Sequence, residues 1–143
     1  MKRSTTLFTI FLLGLFTLST FVNEAFSQEE KAEGPLFEYK AENNRLELDT
    51  MYISSVEEVN LDIEFENKGN APLLLSNVRA CCGTRVVDYP GDPVNPGDIG
   101  IIKISFRLVP RPHNISRSVI VSSNDPGGQK VLRITGRVEQ GEE

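Results

Sequence analysis

The chain has 143 residues, 20 acidic and 15 basic side chains and a formal net charge of −5. That acidity argues against nucleic-acid binding and against charge-driven adhesion to anionic lipid. One histidine, two cysteines and no tryptophan leave little material for histidine-based catalysis and call for a mainly aliphatic core.

At the N-terminus, Lys2 and Arg3 precede an apolar run over residues 7–22, and Ala25 and Ser27 place small residues where a signal peptidase accepts them. This is the layout of a cleavable secretory signal (1–27), and its apolar run is shorter than the roughly 18–20 residues that span a bilayer. The expected cut lies between Ser27 and Gln28. No cysteine sits there to take lipid, so the mature chain is expected to have neither a membrane span nor a lipid anchor. Cleavage removes two bases and one acid, Glu24, moving the charge from −5 to −6. The remaining 116 residues suffice for one domain with one core.

Residues 28–36 are charged and lack apolar periodicity; they read as a flexible leader punctuated by Gly34-Pro35. From there to residue 138 the dominant period is two. A short strand is expected at 45–48. Val59, Leu61, Ile63 and Phe65 then alternate with Asn60, Asp62, Glu64 and Glu66. Further strands follow at 73–78, 84–87, 102–108, 118–122 and 132–138, the longer ones with one apolar and one polar face. Asn67-Lys68-Gly69-Asn70, the Pro- and Gly-rich stretch 90–98 and Asn124-Asp125-Pro126-Gly127-Gly128 supply the turns. Seven short strands in about 100 residues predict an all-β, seven-stranded immunoglobulin-like Greek-key sandwich over 37–138, with a polar tail at 139–143. The antibody hallmarks, a core tryptophan and two cysteines far apart in sequence, are missing.

The run from Phe65 through Asn67, Gly69, Asn70 and Pro72 to Leu73 resembles a known signature. So do the cysteine pair followed by Gly83-Thr84, then Pro96-Gly97, and Ser123-Asn124-Asp125-Pro126 followed by Leu132 and Gly136. In this order and spacing they resemble the domain-of-unknown-function 1573 family. The resemblance implies an exported bacterial domain, common in Bacteroidetes, with a sandwich related to the MSP and ASH domains. It covers residues 46–138. The family's usual Cys-Gly-Cys-Thr is here Cys81-Cys82-Gly83-Thr84, so the glycine is displaced.

Cys81 and Cys82 are adjacent, and four readings stand side by side. They are small buried apolar residues at a strand end. They form a vicinal disulfide, strained because consecutive Cα atoms are about 3.8 Å apart where a relaxed bridge wants ~4.4–6.8 Å. They pair with another chain. Or they form a thiol-redox or soft-metal site for copper or zinc, with His113 as a third ligand. In a seven-strand alternating sandwich the connections carrying Cys81-Cys82 and Arg111-His113 share an end, which motivates the last.

Asn114-Ile115-Ser116 is formally a glycosylation sequon and Asp49-Thr50-Met51 a short O-glycosylation pattern; both are too short to carry a site. Asp62, Glu64 and Glu66 are explained by a wet sheet face. Arg107, Arg111, Arg117, Arg133 and Arg137 are expected mostly on outward strand positions. No nucleophile elbow, phosphate loop or dinucleotide fingerprint occurs. The expectation is therefore a non-enzymatic binding module of the bacterial envelope, periplasmic or at the cell surface. It would contact an envelope protein without a cofactor, by strand addition or by its end loops. The alternative is copper or zinc binding, or thiol redox chemistry, at the cysteines.

Overall fold

A computed structural model describes residues 33–141. The signal segment, the cut at Ser27 and Gln28 and the first part of the leader lie outside the described residues. The strands are β1 (Phe37–Tyr39), β2 (Arg45–Ile53), β3 (Glu57–Asn67), β4 (Leu75–Ala80), β5 (Thr84–Asp88), β6 (Ile99–Leu108), β7 (His113–Ser123) and β8 (Lys130–Gln140). They form two four-stranded sheets, ordered β1-β3-β6-β5 and β2-β8-β7-β4. The chain changes sheet at every connection except β5–β6 and β7–β8. This is an immunoglobulin-like β-sandwich.

The count is eight strands, not seven. The additional one is β1, where Phe37 and Tyr39 are buried and Glu38 between them is exposed. Phe37 stacks on Phe65 with ring centroids 4.6 Å apart and meets Tyr39 edge-on at 4.7 Å. The Tyr39 hydroxyl donates to the carbonyls of Val119 and Lys130 at 3.5 and 3.4 Å, and burial pushes its phenol above its ordinary range. A one-turn 3-10 segment (Glu42–Asn44) then carries the chain to the other sheet, with Asn43 and Asn44 at positive φ. Asparagine tolerates that region better than most residues. β2 then runs parallel to β8, whereas the other described strand pairs are antiparallel.

The core lies between the sheets. Ile63 and Phe65 of β3 and Ile102, Ile104, Phe106 and Leu108 of β6 face Ile115, Val119 and Val121 of β7 and Leu132, Ile134 and Val138 of β8, all buried. Each such side chain contributes about 1.5–3 kcal/mol by leaving water. The β6 alternation begins at Gly100, where a Cβ would lie 2.2 Å from the Phe65 ring; glycine there lets Phe65 lie flat on the sheet.

Candidate functional site

The sandwich has two chemically different ends. One gathers the β3–β4 and β7–β8 turns and the β5–β6 loop around β1. Its hub is Asn67, which is fully buried. The Asn67 side chain accepts from the N–H groups of Leu36 and Gly69 at 3.2 and 3.0 Å and donates to the carbonyls of Ala71 and Val94 at 2.8 and 2.9 Å. Asn70 accepts from the Gly34 N–H at 2.7 Å. Asn124 accepts from the Leu74 N–H at 2.8 Å and donates to the Pro72 carbonyl at 3.1 Å. Asp125, 5 % exposed, accepts from the N–H groups of Phe37 and Gly127 at 2.9 and 2.6 Å and pairs with Lys130 at 3.2 Å. Burial works against its ionisation, but those N–H groups and the lysine outweigh it and hold the carboxyl below its usual value. The Asn-Lys-Gly-Asn and Ser-Asn-Asp-Pro stretches are therefore spent on tying the N-terminal segment, β1 and the turns together.

The opposite end holds the cysteines. The Cys81 N–H bonds to the Ser118 carbonyl at 3.0 Å, extending the β4–β7 ladder by one step. The Thr84 N–H closes on the Cys81 carbonyl at 3.2 Å. Between them Cys82 and Gly83 both adopt left-handed backbone, with φ of 61° and 75°. This tight turn links an edge strand of one sheet to an edge strand of the other. Glycine is the residue type that φ favours at position 82, and position 82 is where the resembled family pattern puts it. Here a cysteine occupies it, at a cost of roughly 1–2 kcal/mol.

Cys81 is half-buried and Cys82 exposed, both as free thiols, with their sulfurs 2.6 Å apart. The Ser118 hydroxyl donates to Cys81 Sγ at 3.1 Å. The contact from Cys82 and then the Ser118 hydroxyl hold the Cys81 thiol below its ordinary range. The same contact with Cys81, followed by burial and the repulsion of a neighbouring thiolate, pushes Cys82 up. Of the two thiols, Cys81 is therefore the more acidic.

Arg117 completes the site, and its position corrects the expectation that it points outward. It shares the inward side of β7 with Ile115 and Val119. Its guanidinium lies over the Phe106 ring, 5.5 Å from the centroid, and donates through Nη1 to the Cys82 carbonyl. Its Nε and the Thr84 hydroxyl are buried without a hydrogen-bond partner. Gly83, Arg85, Glu58, Ser105, Phe106 and Arg107 border an open depression of about 220 Å³ beside the turn.

His113 shares this end but is the first residue of β7, not a loop residue. Its Nδ1–H donates to the Arg111 carbonyl at 2.7 Å. It lies five residues along the strand from Ser118, about 16 Å at the usual rise per residue. Among the described residues no three His, Cys, Asp or Glu side chains come together as a metal could use them. The set Cys81, Cys82 and His113 is therefore not assembled. Sequence reasoning missed Arg117 and Ser118; the one available signal was an arginine in phase with Ile115, Val119 and Val121.

Fold and site define a small immunoglobulin-like sandwich with an architectural end and a thiol-bearing end. The family described as "Protein of unknown function (DUF1573)" matches residues 40–138, and the chain belongs to that family. Among solved structures it is similar to a protein of unknown function from Porphyromonas gingivalis W83, at 18% identity and a TM-score of 0.58, covering 78% of this chain and 50% of that one. It is also similar to the secreted serine protease VesC from Vibrio cholerae, at 15% identity and a TM-score of 0.53, covering 73% of this chain and 23% of that one. A third similarity is to the ASH / PapD-like domain of human CEP192, at 14% identity and a TM-score of 0.49, covering 74% and 87%. The chain thus spans about a quarter of the VesC structure and half of the Porphyromonas gingivalis one. Likeness at these identities is one of fold. No curated protein matches the chain.

Proposed function

We propose that the chain is an exported, non-enzymatic contact module of a bacterial cell envelope, and that it meets its protein partner with the thiol-bearing end. One observation carries this: the two ends differ in what their side chains are used for. At the Asn67 end the polar side chains of the signature are taken up by backbone groups. At the other end Val56 and Val109 follow the last β3–β6 pair, Glu57 with Leu108, and are 61 % and 38 % exposed. Tyr52 on neighbouring β2 is 71 % exposed, and Arg107 and Arg111 are exposed around them. Apolar anchors rimmed by arginine have the composition of a protein-contact surface.

Strand addition, the other route, is opposed by the edges. β1 has three residues, and β2, β4 and β5 each carry a register shift. Short or bulged edges resist an added strand. A photo-crosslinking residue placed at Val56 or Arg111 of the full chain, in its native envelope, is expected to give one discrete adduct that excess purified chain competes away. The same residue at Asp92, in the β5–β6 loop of the opposite end, gives none. Adducts only from Asp92, or none from any position, overturn the proposal. Export is checked separately by fractionation and by N-terminal sequencing, which is expected to begin at Gln28.

A further inference from the structure

We infer that Cys81 and Cys82 form a reversible dithiol site that exchanges with disulfides and closes to a vicinal disulfide within one chain. The geometry is already assembled. The sulfurs touch at 2.6 Å, the Ser118 hydroxyl donates to Cys81 Sγ, and the guanidinium of Arg117 is anchored on the adjoining Cys82 carbonyl. A thiolate at Cys81 is therefore met by a hydroxyl donor and a nearby cation, the setting that makes a cysteine nucleophilic. Cys82 is exposed at the tip of the turn and Cys81 beside it is half-buried, so the pair is open to a dissolved or protein-borne disulfide that Cys81 attacks.

The exchange balances as follows. The Cys81 thiolate attacks one sulfur of a disulfide RS–SR, and a mixed disulfide forms as the first RS⁻ leaves. Cys82, losing its proton, attacks Cys81 Sγ; the Cys81–Cys82 bond forms and the second RS⁻ leaves. Two cysteine protons end on two RSH molecules, the cysteines are oxidised by two electrons, and RS–SR is reduced. The resulting eight-membered ring contains the Cys81 carbonyl, which accepts from the Thr84 N–H, and carries the Cys82 carbonyl, which accepts from Arg117. Adjacent Cα atoms sit closer than a relaxed bridge prefers, so the bond is strained and readily reduced again. Such a site suits reversible oxidation and not permanent cross-linking. It concerns the chemistry of the turn and does not depend on a partner binding at this end.

The test is a redox titration of the purified full chain in glutathione buffers, quenched by acid and alkylation and read by intact mass. The expected product at the oxidising end is a monomer lacking two hydrogens, taking no alkyl group, with a two-electron midpoint inside the range glutathione can buffer. Cys81→Ser and Cys82→Ser each give instead a stable mixed disulfide with glutathione. In Arg117→Gln, alkylation of the reduced protein at neutral pH slows about tenfold or less, with the two-electron product retained. Three results overturn the inference: both thiols alkylated across the whole series, an oxidised product that is solely a cross-linked dimer, or a monomeric glutathione adduct of the unaltered chain that never resolves.

Discussion

At the residue scale, Asn67 and Arg117 separate a polar group kept for architecture from one that architecture does not need. Asn67→Ala leaves two N–H donors and two carbonyls without their partner in a site that is buried for two of these bonds and part-buried for the other two. Each unsatisfied group costs about 1–3 kcal/mol, and partial entry of water recovers some of that. A loss of about 3–4 kcal/mol in chemical denaturation is expected; a loss below about 1 kcal/mol shows that the hub is dispensable. Arg117 behaves differently. Its inward side chain brings a charge and an unpartnered Nε against Phe106 and satisfies only the Cys82 carbonyl at the exposed turn. Replacing such a charge by an apolar chain of similar length is often neutral or stabilising. Arg117→Met is expected to leave stability within about 1 kcal/mol of the parent, or to raise it, as is Cys82→Gly at its positive φ. A large loss in the same denaturation measurement makes Arg117 a structural residue and removes it from the thiol site.

At the element scale, β1 is held by two aromatic rings and by Asp125, whose carboxylate accepts from the Phe37 N–H. The folded carboxyl titrates below its ordinary value of 3.8. Its ionised contacts therefore contribute stability at every pH above that value, and the contribution is lost as pH falls through the lower folded value. The stability difference between the parent and Asp125→Ala is expected to be about 2–3 kcal/mol and flat above about pH 4.5, shrinking toward zero at lower pH. Faster amide exchange at Phe37 accompanies it. A difference that grows on acidification has the wrong sign.

What the sequence revealed at this scale follows from how periodicity works. β3, β6 and β8 alternate without interruption, and their faces were legible. In β2 the alternation is legible only to Leu48 because its phase slips. Leu46 and Leu48 pack on the core, then Met51 and Ile53 do, one residue out of step across the shift between Glu47 and Thr50. β1 was invisible because Phe-Glu-Tyr is too short to show a period; its burial depends on Phe65 and Asp125, far along the chain. The cysteines were conspicuous by type. Arg117 was hidden because a charge on an alternating strand is normally assigned to the wet face.

At the scale of the whole molecule, a sandwich with four strand edges needs features that keep it from stacking on itself. Unpaired N–H and C=O groups template further strands unless the edge is short, charged or bent. β1 is short, and β2, the longest edge at nine residues, combines Arg45, Glu47 and Asp49 with one extra residue between Glu47 and Thr50. Gly136 on β8 makes room for that bulge; a Cβ there would stand 3.0 Å from Leu48 Cβ. Deleting Asp49 removes the extra residue and one of the charges together. Leu46, Leu48, Met51 and Ile53 then fall on a single unbroken alternation, so the core face of β2 survives while its outer edge becomes flat. The deletion variant is expected to fold, with stability within about 2 kcal/mol of the parent, but to self-associate in sedimentation velocity at tens of micromolar, where the parent is expected to stay monomeric. Adding Thr50→Asp to the deletion returns an acidic side chain to the edge and is expected to reverse the association. A deletion variant that is folded and monomeric at those concentrations shows that the bulge does not guard the edge, and reopens β2 as a route for partner strands.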